Sequence, residues 1–296
     1  MSKGEPLYKN WKIQRAMSIE HCSIPEGSEF WITEKLNGIR ATYYKGCMVS
    51  RTGRRIDGLD HILRCLEPII VGDCALDGEL ILRDFGDMTN NEAFSTAAGI
   101  VNSNDAEKPQ ICFNVFDYIP DFSQPISLLT YKHRRRLMDN LKFAKSDPVR
   151  IVPVLYHGTD QSRIQELLEE AIANDEEGII VNLDTSYLKT RHRGILKVKR
   201  FYTMDLPIVD FEIGTGRLDN TLGALIVAYK DSRIGVGTGF TDEERNDIWS
   251  RRNDLIGTLC EVKYKAITSD KSTGFESLQF PVFVRLRDDK QEISYD

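Results

Sequence analysis

No apolar run in the chain approaches the 18 or more residues that a membrane span requires. The opening stretch, MSKGEPLYKNWK, has no apolar core of the kind a signal peptide carries. Both absences lead us to expect no membrane partner. Cysteines are few and scattered: Cys22, Cys47, Cys65, Cys74, Cys112 and Cys260 include no C-x-x-C pair. That argues against a structural zinc site and for reduced thiols in a cytoplasm, bacterial, or that of a host if the source is viral. Five histidines are too few for a polyhistidine metal site. Repeats and low-complexity segments are absent. There is no excess of positive charge either, since the net charge is −6, which argues mildly against a nucleic-acid partner.

The distribution of charge weakens that objection. Residues 205–296 hold 12 Lys and Arg against 17 Asp and Glu, whereas residues 1–204 hold 27 against 28. Thr185 to Thr203 carries six Lys or Arg and no acid, with Tyr187, Phe201 and Tyr202 adding aromatic surface. On charge alone this stripe reads equally as a solvated basic strand or as a phosphate-binding one.

What is present is a mixed pattern long enough, at 296 residues, for two domains. Helical periodicity covers Gly58–Leu66, Tyr131–Ala144 and Gln161–Ala173, the last preceded by the cap-like Thr159-Asp160. Strand-like runs cover Ala75–Leu82, Ile111–Tyr118, Arg150–Leu155, Gly178–Leu183 and Ile195–Phe201. They do not alternate as βαβ units, which predicts an α+β architecture. Near Thr203–Pro207 the pattern changes to short strands interrupted by one helix, Thr241 to about Arg252, which Thr241 and Glu244 open as a capping box. Five short strands and a helix suit a small Greek-key barrel such as the OB-fold, and an SH3-like barrel reads similarly. The expected domains are 1–204 and 205–296.

Asn37-Gly38, between the β-prone runs FWITE and IRATYY, predicts a β-hairpin. Lys35 and Arg40 flank it, and a hairpin needs neither cation. On a plain surface hairpin they are simply solvated. A lysine that attacks phosphorus must instead be neutral, and at its ordinary pKa of about 10.4 roughly one amine in a thousand is so near neutral pH. Burial or nearby cations must lower that value. Arg40 would then clamp phosphate oxygens with its fork of donors.

The ordered segments KLNGIR (35–40), SRTG (50–53), LDGEL (76–80), FNVFDYI (113–119), EEGIIV (176–181), ILKVKRF (195–201) and FPVFVRLRDDK (280–290) together resemble the motif series of the covalent nucleotidyltransferases. The chain is most similar to the small ATP-dependent DNA ligases of viruses and bacteria. The resemblance implies an adenylation domain of antiparallel sheets with flanking helices, followed by a C-terminal OB-fold barrel. It implies an enzyme that acts as a monomer in replication, repair or recombination. Such an enzyme consumes ATP with Mg²⁺ or Mn²⁺, holds AMP on Lys35 and seals nicked duplex DNA.

By resemblance, Thr33 meets the adenine edge and Phe116 its face. Arg40, Arg191, Lys197 and Lys199 grip the nucleotide, and Lys197 and Lys199 also serve catalysis. Glu79 and Glu177 belong to the nucleotide site and hold the metal ion directly or through water, and Glu79 also accepts from a ribose hydroxyl. Arg40, Arg51 and Thr52 meet DNA at the nick, and Arg287, Asp289 and Lys290 orient pyrophosphate. The sequence departs from the family at Asn37, where an aspartate that aids the final joining step is expected. Between Gly214 and Gly223 there is room only for a tight turn, so the DNA-encircling hairpin of some viral ligases is not expected. The alternatives are an RNA ligase or mRNA-capping guanylyltransferase relative, or a catalytically impaired protein that binds nucleic-acid ends.

Overall fold

Among the described residues, each buried apolar cluster belongs to one of two units, Met1–Lys199 and Arg200–Asp296. The computed structural model describes residues 7, 8, 10–199, 202–264, 266–269, 274–290 and 292–295. Arg200 and Phe201 of the basic stripe, and Lys265 of one expected strand, lie outside the described residues.

The first unit opens with β1 (Arg15–Ser18), β2 (Phe30–Glu34), β3 (Ile39–Tyr44), β4 (Cys47–Ser50) and α1 (Asp60–Leu66). It continues through β5 (Ala75–Leu82), α2 (Asn90–Asn102), β6 (Ile111–Ile119), β7 (Ile126–Thr130) and α3 (Tyr131–Asp139). Then follow β8 (Val149–Ile151), β9 (Val154–Gly158), α4 (Ser162–Ala173), β10 (Ile179–Leu183), β11 (Ser186–Leu188) and β12 (Arg191–Val198). Two five-stranded sheets result, ordered β1-β12-β10-β2-β9 and β4-β3-β5-β6-β8, with β7 and β11 as a separate pair.

One face of each sheet is packed by helices. On the first, α4 buries Ile164, Leu167, Leu168 and Ala171, at helical spacing, with Phe30, Ile32, Ile179, Val181 and Leu196. On the second, Ile62 and Leu66 of α1 and Ala93, Ala97 and Val101 of α2 cover Leu76, Leu80, Leu82 and Phe113. The alternate residues of β5, Asp77 and Glu79, therefore project from the opposite face. Helix α2 was not anticipated because its buried residues are mostly alanines, which give little hydrophobic contrast. Its start signal was nonetheless present: Thr89 and Glu92 form a capping box.

The expected hairpin at Asn37-Gly38 does not form. Strand β2 pairs with β10 and β9, and β3 pairs with β4 and β5, so the segment between them crosses from one sheet to the other. Neither Asn37 nor Gly38 has a positive φ. Gly38 serves close approach instead, since a Cβ there would stand 2.4 Å from the Leu80 carbonyl oxygen and 2.5 Å from Ile81 Cγ2. A two-residue hairpin turn does form nearby at Lys45-Gly46, with φ of 48° and 70°, joining the directly paired Tyr44 and Cys47. The run expected as one strand from Arg150 to Leu155 is divided into β8 and β9, with Val152 and Pro153 between them. These two strands join different sheets. Helix α3 also stops short, at Asp139 rather than Ala144.

The second unit contains β13 (Tyr202–Ile213), β14 (Leu222–Tyr229), β15 (Ser232–Val236), α5 (Asp242–Ser250) and β16 (Leu259–Tyr264). It ends with β17 (Ala266–Ser269), β18 (Glu276–Gln279), β19 (Val282–Leu286) and β20 (Ser294–Tyr295). Strand β13 pairs with β16 through residues 202–207 and with β14 through 208–213, so it turns a corner just after Pro207. Leu206, Ile208, Leu225, Val227, Val236, Cys260 and Val262 fill the interior. The Thr241–Glu244 capping box opens α5, and the turn between β13 and β14 holds only a single 3₁₀ turn, Gly216–Leu218. Among the described residues no helix is long and apolar enough to cross a membrane.

Candidate functional site

Lys35 follows β2 directly, and its backbone N–H donates to the Gly178 carbonyl at 2.9 Å. This bond ties the end of β2 to the start of β10. Gly178 permits it: with φ of 134°, a Cβ there would lie 2.3 Å from the Val198 carbonyl oxygen. Glu177, Lys35 and Lys199 are thereby gathered from three points in the chain. Lys35 Nζ donates to Glu177 Oε2 and Lys199 Nζ to Glu177 Oε1, so one carboxylate bridges two ammonium groups.

Burial lowers the Lys35 pKa, and Lys199 adds to the effect, while Glu177 and Glu79 oppose it. The Lys35 side chain is 18% exposed. Lys197, on the same face of the chain as Lys199, is also held below its usual value by burial, Lys199 and Arg191. Burial would raise the Glu177 carboxyl, but the Lys35 and Lys199 charges outweigh it and keep it below its ordinary range.

Glu79 behaves oppositely. Burial, helped by Asp77 and Glu177, pushes its carboxyl up to about 7 against the pull of Arg40 and Lys35. Among the described residues its oxygens take no hydrogen bond, so they are free for a ribose hydroxyl or a cation. Asp77, fully buried one alternate position away, is saturated. It accepts from Arg40 Nε at 2.8 Å and Nη2 at 2.6 Å, and from the Tyr187 hydroxyl at 2.7 Å. Arg40 Nη2 also donates to the Gln14 carbonyl at 3.1 Å. The fork of Arg40 is thus committed to the protein, and only Nη1 remains unengaged among the described residues. Tyr187, expected as surface aromatic, is 1% exposed and buried in this network.

Phe116 owes its position to a bulge. Asp77 faces Asp117 while Gly78 faces Val115, which leaves Phe116 as the extra residue of β6. It escapes the core alternation and lies half-buried, its ring centroid 4.5 Å from the Arg40 guanidinium carbon. Phe113, by contrast, is core. Thr33 is 2% exposed and shares the strand face of Lys35.

The other expected residues have surroundings of their own. Arg51 and Thr52 form an exposed turn after β4, with Thr52 Oγ1 3.2 Å from Ser50 Oγ. Arg191 is exposed at the start of β12. Asn37 Nδ2 reaches the Asn90 carbonyl, at the first residue of α2, at 3.5 Å. In the second unit, Arg287 is held by both oxygens of Asp205, at 3.0 and 2.9 Å, and by both of Asp289, at 2.9 and 3.0 Å. Lys290 Nζ donates to Asp205 at 2.8 Å. Sequence reasoning did not assign Gln14, Tyr187 or Asp205. The alternation of Asp77 with Glu79 was the one signal that pointed toward this network.

A half-buried lysine among cations and acids thus lies on paired sheets in a chain whose second unit is a small barrel. The ATP dependent DNA ligase domain matches residues 12–199, and the DNA ligase OB-like domain matches residues 213–287. The chain belongs to the ATP-dependent DNA ligase family. It is 24% identical over 253 residues to a DNA ligase of Haemophilus influenzae, covering 83% of this chain and 85% of that protein. To a DNA ligase of Archaeoglobus fulgidus it is 28% identical over 284 residues, covering 86% of this chain but only 49% of that one. The chain therefore spans about half the length of the archaeal relative. Among solved structures, Pmar-Lig_Pre matches with a TM-score of 0.77 at 25% identity, covering 94% of this chain and 67% of its own. A structure from a study of Lig E DNA ligases and DNA binding with a minimal scaffold matches with a TM-score of 0.67 at 24% identity, covering 93% and 99%.

Proposed function

We propose that this chain seals breaks between a 5′-phosphate and a 3′-hydroxyl in nicked duplex DNA, at the expense of ATP. The observation that carries this reading is the Lys35 amine, half-buried against Glu177 and facing Glu79 and Lys199. Lys35, once neutral, attacks the α-phosphorus of ATP; a P–N bond forms and the bond to pyrophosphate breaks. Burial and the Lys199 charge favour the neutral amine. Lys197 and Lys199 then neutralise the α-phosphate as charge develops. Phe116 stacks on the base, Thr33 meets its edge, and Glu79 takes a ribose hydroxyl.

A divalent cation would be held chiefly by Glu79 and the substrate, since Lys35 and Lys199 occupy both oxygens of Glu177, and no group of three metal-binding side chains stands among the described residues. Glu79 has unengaged oxygens, Glu177 lies beside it, and magnesium completes its shell with phosphates and water. The ion, when bound, supplies further charge neutralisation. AMP passes from Lys35 to the 5′-phosphate, which Arg51 and Thr52 receive from their exposed turn. The 3′-hydroxyl then attacks that phosphate and AMP leaves. Arg287, Asp289 and Lys290 orient pyrophosphate in the first step, for which Arg287 must give up Asp205 or Asp289.

The test is to incubate the chain with Mg²⁺ and α-labelled ATP or GTP, then with nicked DNA or RNA. Label from ATP but not GTP, abolished in Lys35→Ala, followed by sealed DNA, is the expected result. Label from neither nucleotide overturns the enzyme reading and leaves a protein that binds nucleic-acid ends. DNA-adenylate that accumulates unsealed would place the weak step at Asn37, and Asn37→Asp should then speed the sealing step.

A further inference from the structure

A row of paired residues runs across the polar face of the second sheet and ends at an edge that the function above leaves unused. Arg40 pairs with Glu79, Glu79 with Asn114, and Asn114 with Arg150. Facing neighbours in a sheet project to the same side, and Val149 and Ile151 on either side of Arg150 belong to the helix-packed core. Arg150 therefore lies two strand spacings from Glu79, or about 10 Å. Three further cations surround it. Arg83 Nη2 donates to the Ser146 carbonyl, in the segment that carries Lys142 and Lys145. Lys142, Lys145 and Arg150 line a cavity of about 520 Å³, with Phe143 beside them.

None of these four side chains forms an ion pair among the described residues. Of the acids nearest in sequence, Asp84 accepts from the Gly86 N–H, Asp147 accepts from the Ala144 N–H, and Asp139 pairs with Arg135. These four exposed cations, none of them held in an ion pair among the described residues, keep their ammonium and guanidinium groups available to phosphate oxygens. A single lysine would suffice to protect the β8 edge from pairing with another strand.

We propose that Arg83, Lys142, Lys145 and Arg150 bind the phosphodiester backbone of the duplex arm flanking the break, about three nucleotides from the reacting phosphate. This spacing follows from a rise of about 3.4 Å per nucleotide along one strand. The assignment rests on the ligase reading, and its test separates the two.

In the full chain, R83Q/K142Q/K145Q/R150Q should take label from ATP within twofold of the parent. Its affinity for a 5′-phosphorylated nicked duplex, followed by fluorescence anisotropy between about 50 and 200 mM salt, should show a log–log slope shallower by about 2 to 4, at about 0.9 per lost contact. Shortening the duplex arm on one side of the nick should weaken the parent at least fivefold and leave the variant unaffected. An unchanged slope with label retained overturns the proposal, as does polyglutamate displacing DNA from parent and variant equally well. Should the quadruple variant fail to fold, R150Q and K145Q alone must each flatten the slope by about 0.9; no change in either overturns it. If the parent takes no label, the ligase reading fails, while the slope on the same duplex still decides the surface.

Discussion

Two carboxylates near Lys35 have been driven in opposite directions by their neighbours, and this difference sets a pH dependence. Glu177 faces two ammonium groups and stays ionised through the neutral range. Glu79 is raised to about 7 by burial, so the folded chain binds an extra proton there between about pH 4.5 and 7. The resulting stabilisation is fully present below the unfolded value and is lost as pH rises through about 7. Cation binding needs the ionised form and has the opposite trend. If the proposed function holds, Mg²⁺ or Mn²⁺ affinity, read through labelling of the chain by ATP, should rise up to tenfold per unit below about pH 7 and level off above it. Glu79→Gln should weaken and flatten that profile; an identical profile in the variant would remove Glu79 from the cation site. Lys35, Glu79, Glu177, Lys197 and Lys199 were each legible as chemistry in short motifs. Their convergence was implied by the family resemblance but by no local pattern, because it runs through contacts such as the backbone bond from Lys35 to Gly178, 143 positions away. Gln14 and Tyr187 carried no local signal at all, since they act only through one buried hydrogen-bond network.

At the scale of elements, glycines separate what local propensity reveals from what packing demands. Asn37-Gly38 has the composition of a hairpin turn, yet it links two sheets and Gly38 is there to admit β5. Gly38→Ala should therefore destabilise the chain by about 1–3 kcal/mol, because the Leu80 backbone must move. Gly99 provides the contrast. It is exposed within α2 with open space around its Cα, and Gly99→Ala should stabilise by about 0.5–1 kcal/mol. Thermal melts of the two variants, read at equal pH and salt, check both signs. Were Gly38→Ala to melt at or above the parent temperature, the close approach of this crossing to β5 would be without energetic consequence. Amphipathic α4 and capped α5 were readable because their patterns are local, whereas small-residue α2 needed its cover to be known.

For the whole molecule, the cores predict how it comes apart. The interior of residues 1–199 and that of residues 200–296 share no buried cluster among the described residues. Calorimetry should resolve two transitions, and a fragment of residues 1–199 should reproduce one of them. A single transition that vanishes on division of the chain would show that neither core is sufficient. The amino-acid order by itself determined the fold class and the succession of a larger α+β unit and a small barrel, and it singled out the lysine proposed as the reactive amine. These rest on residue type and short spacing, which the chain carries locally. Only tertiary structure decided that Arg40 is tied to Asp77, that a bulge presents Phe116, and that Glu177 bridges two lysines. Those outcomes depend on strand register and mutual burial between distant segments, and neither is encoded in any one stretch.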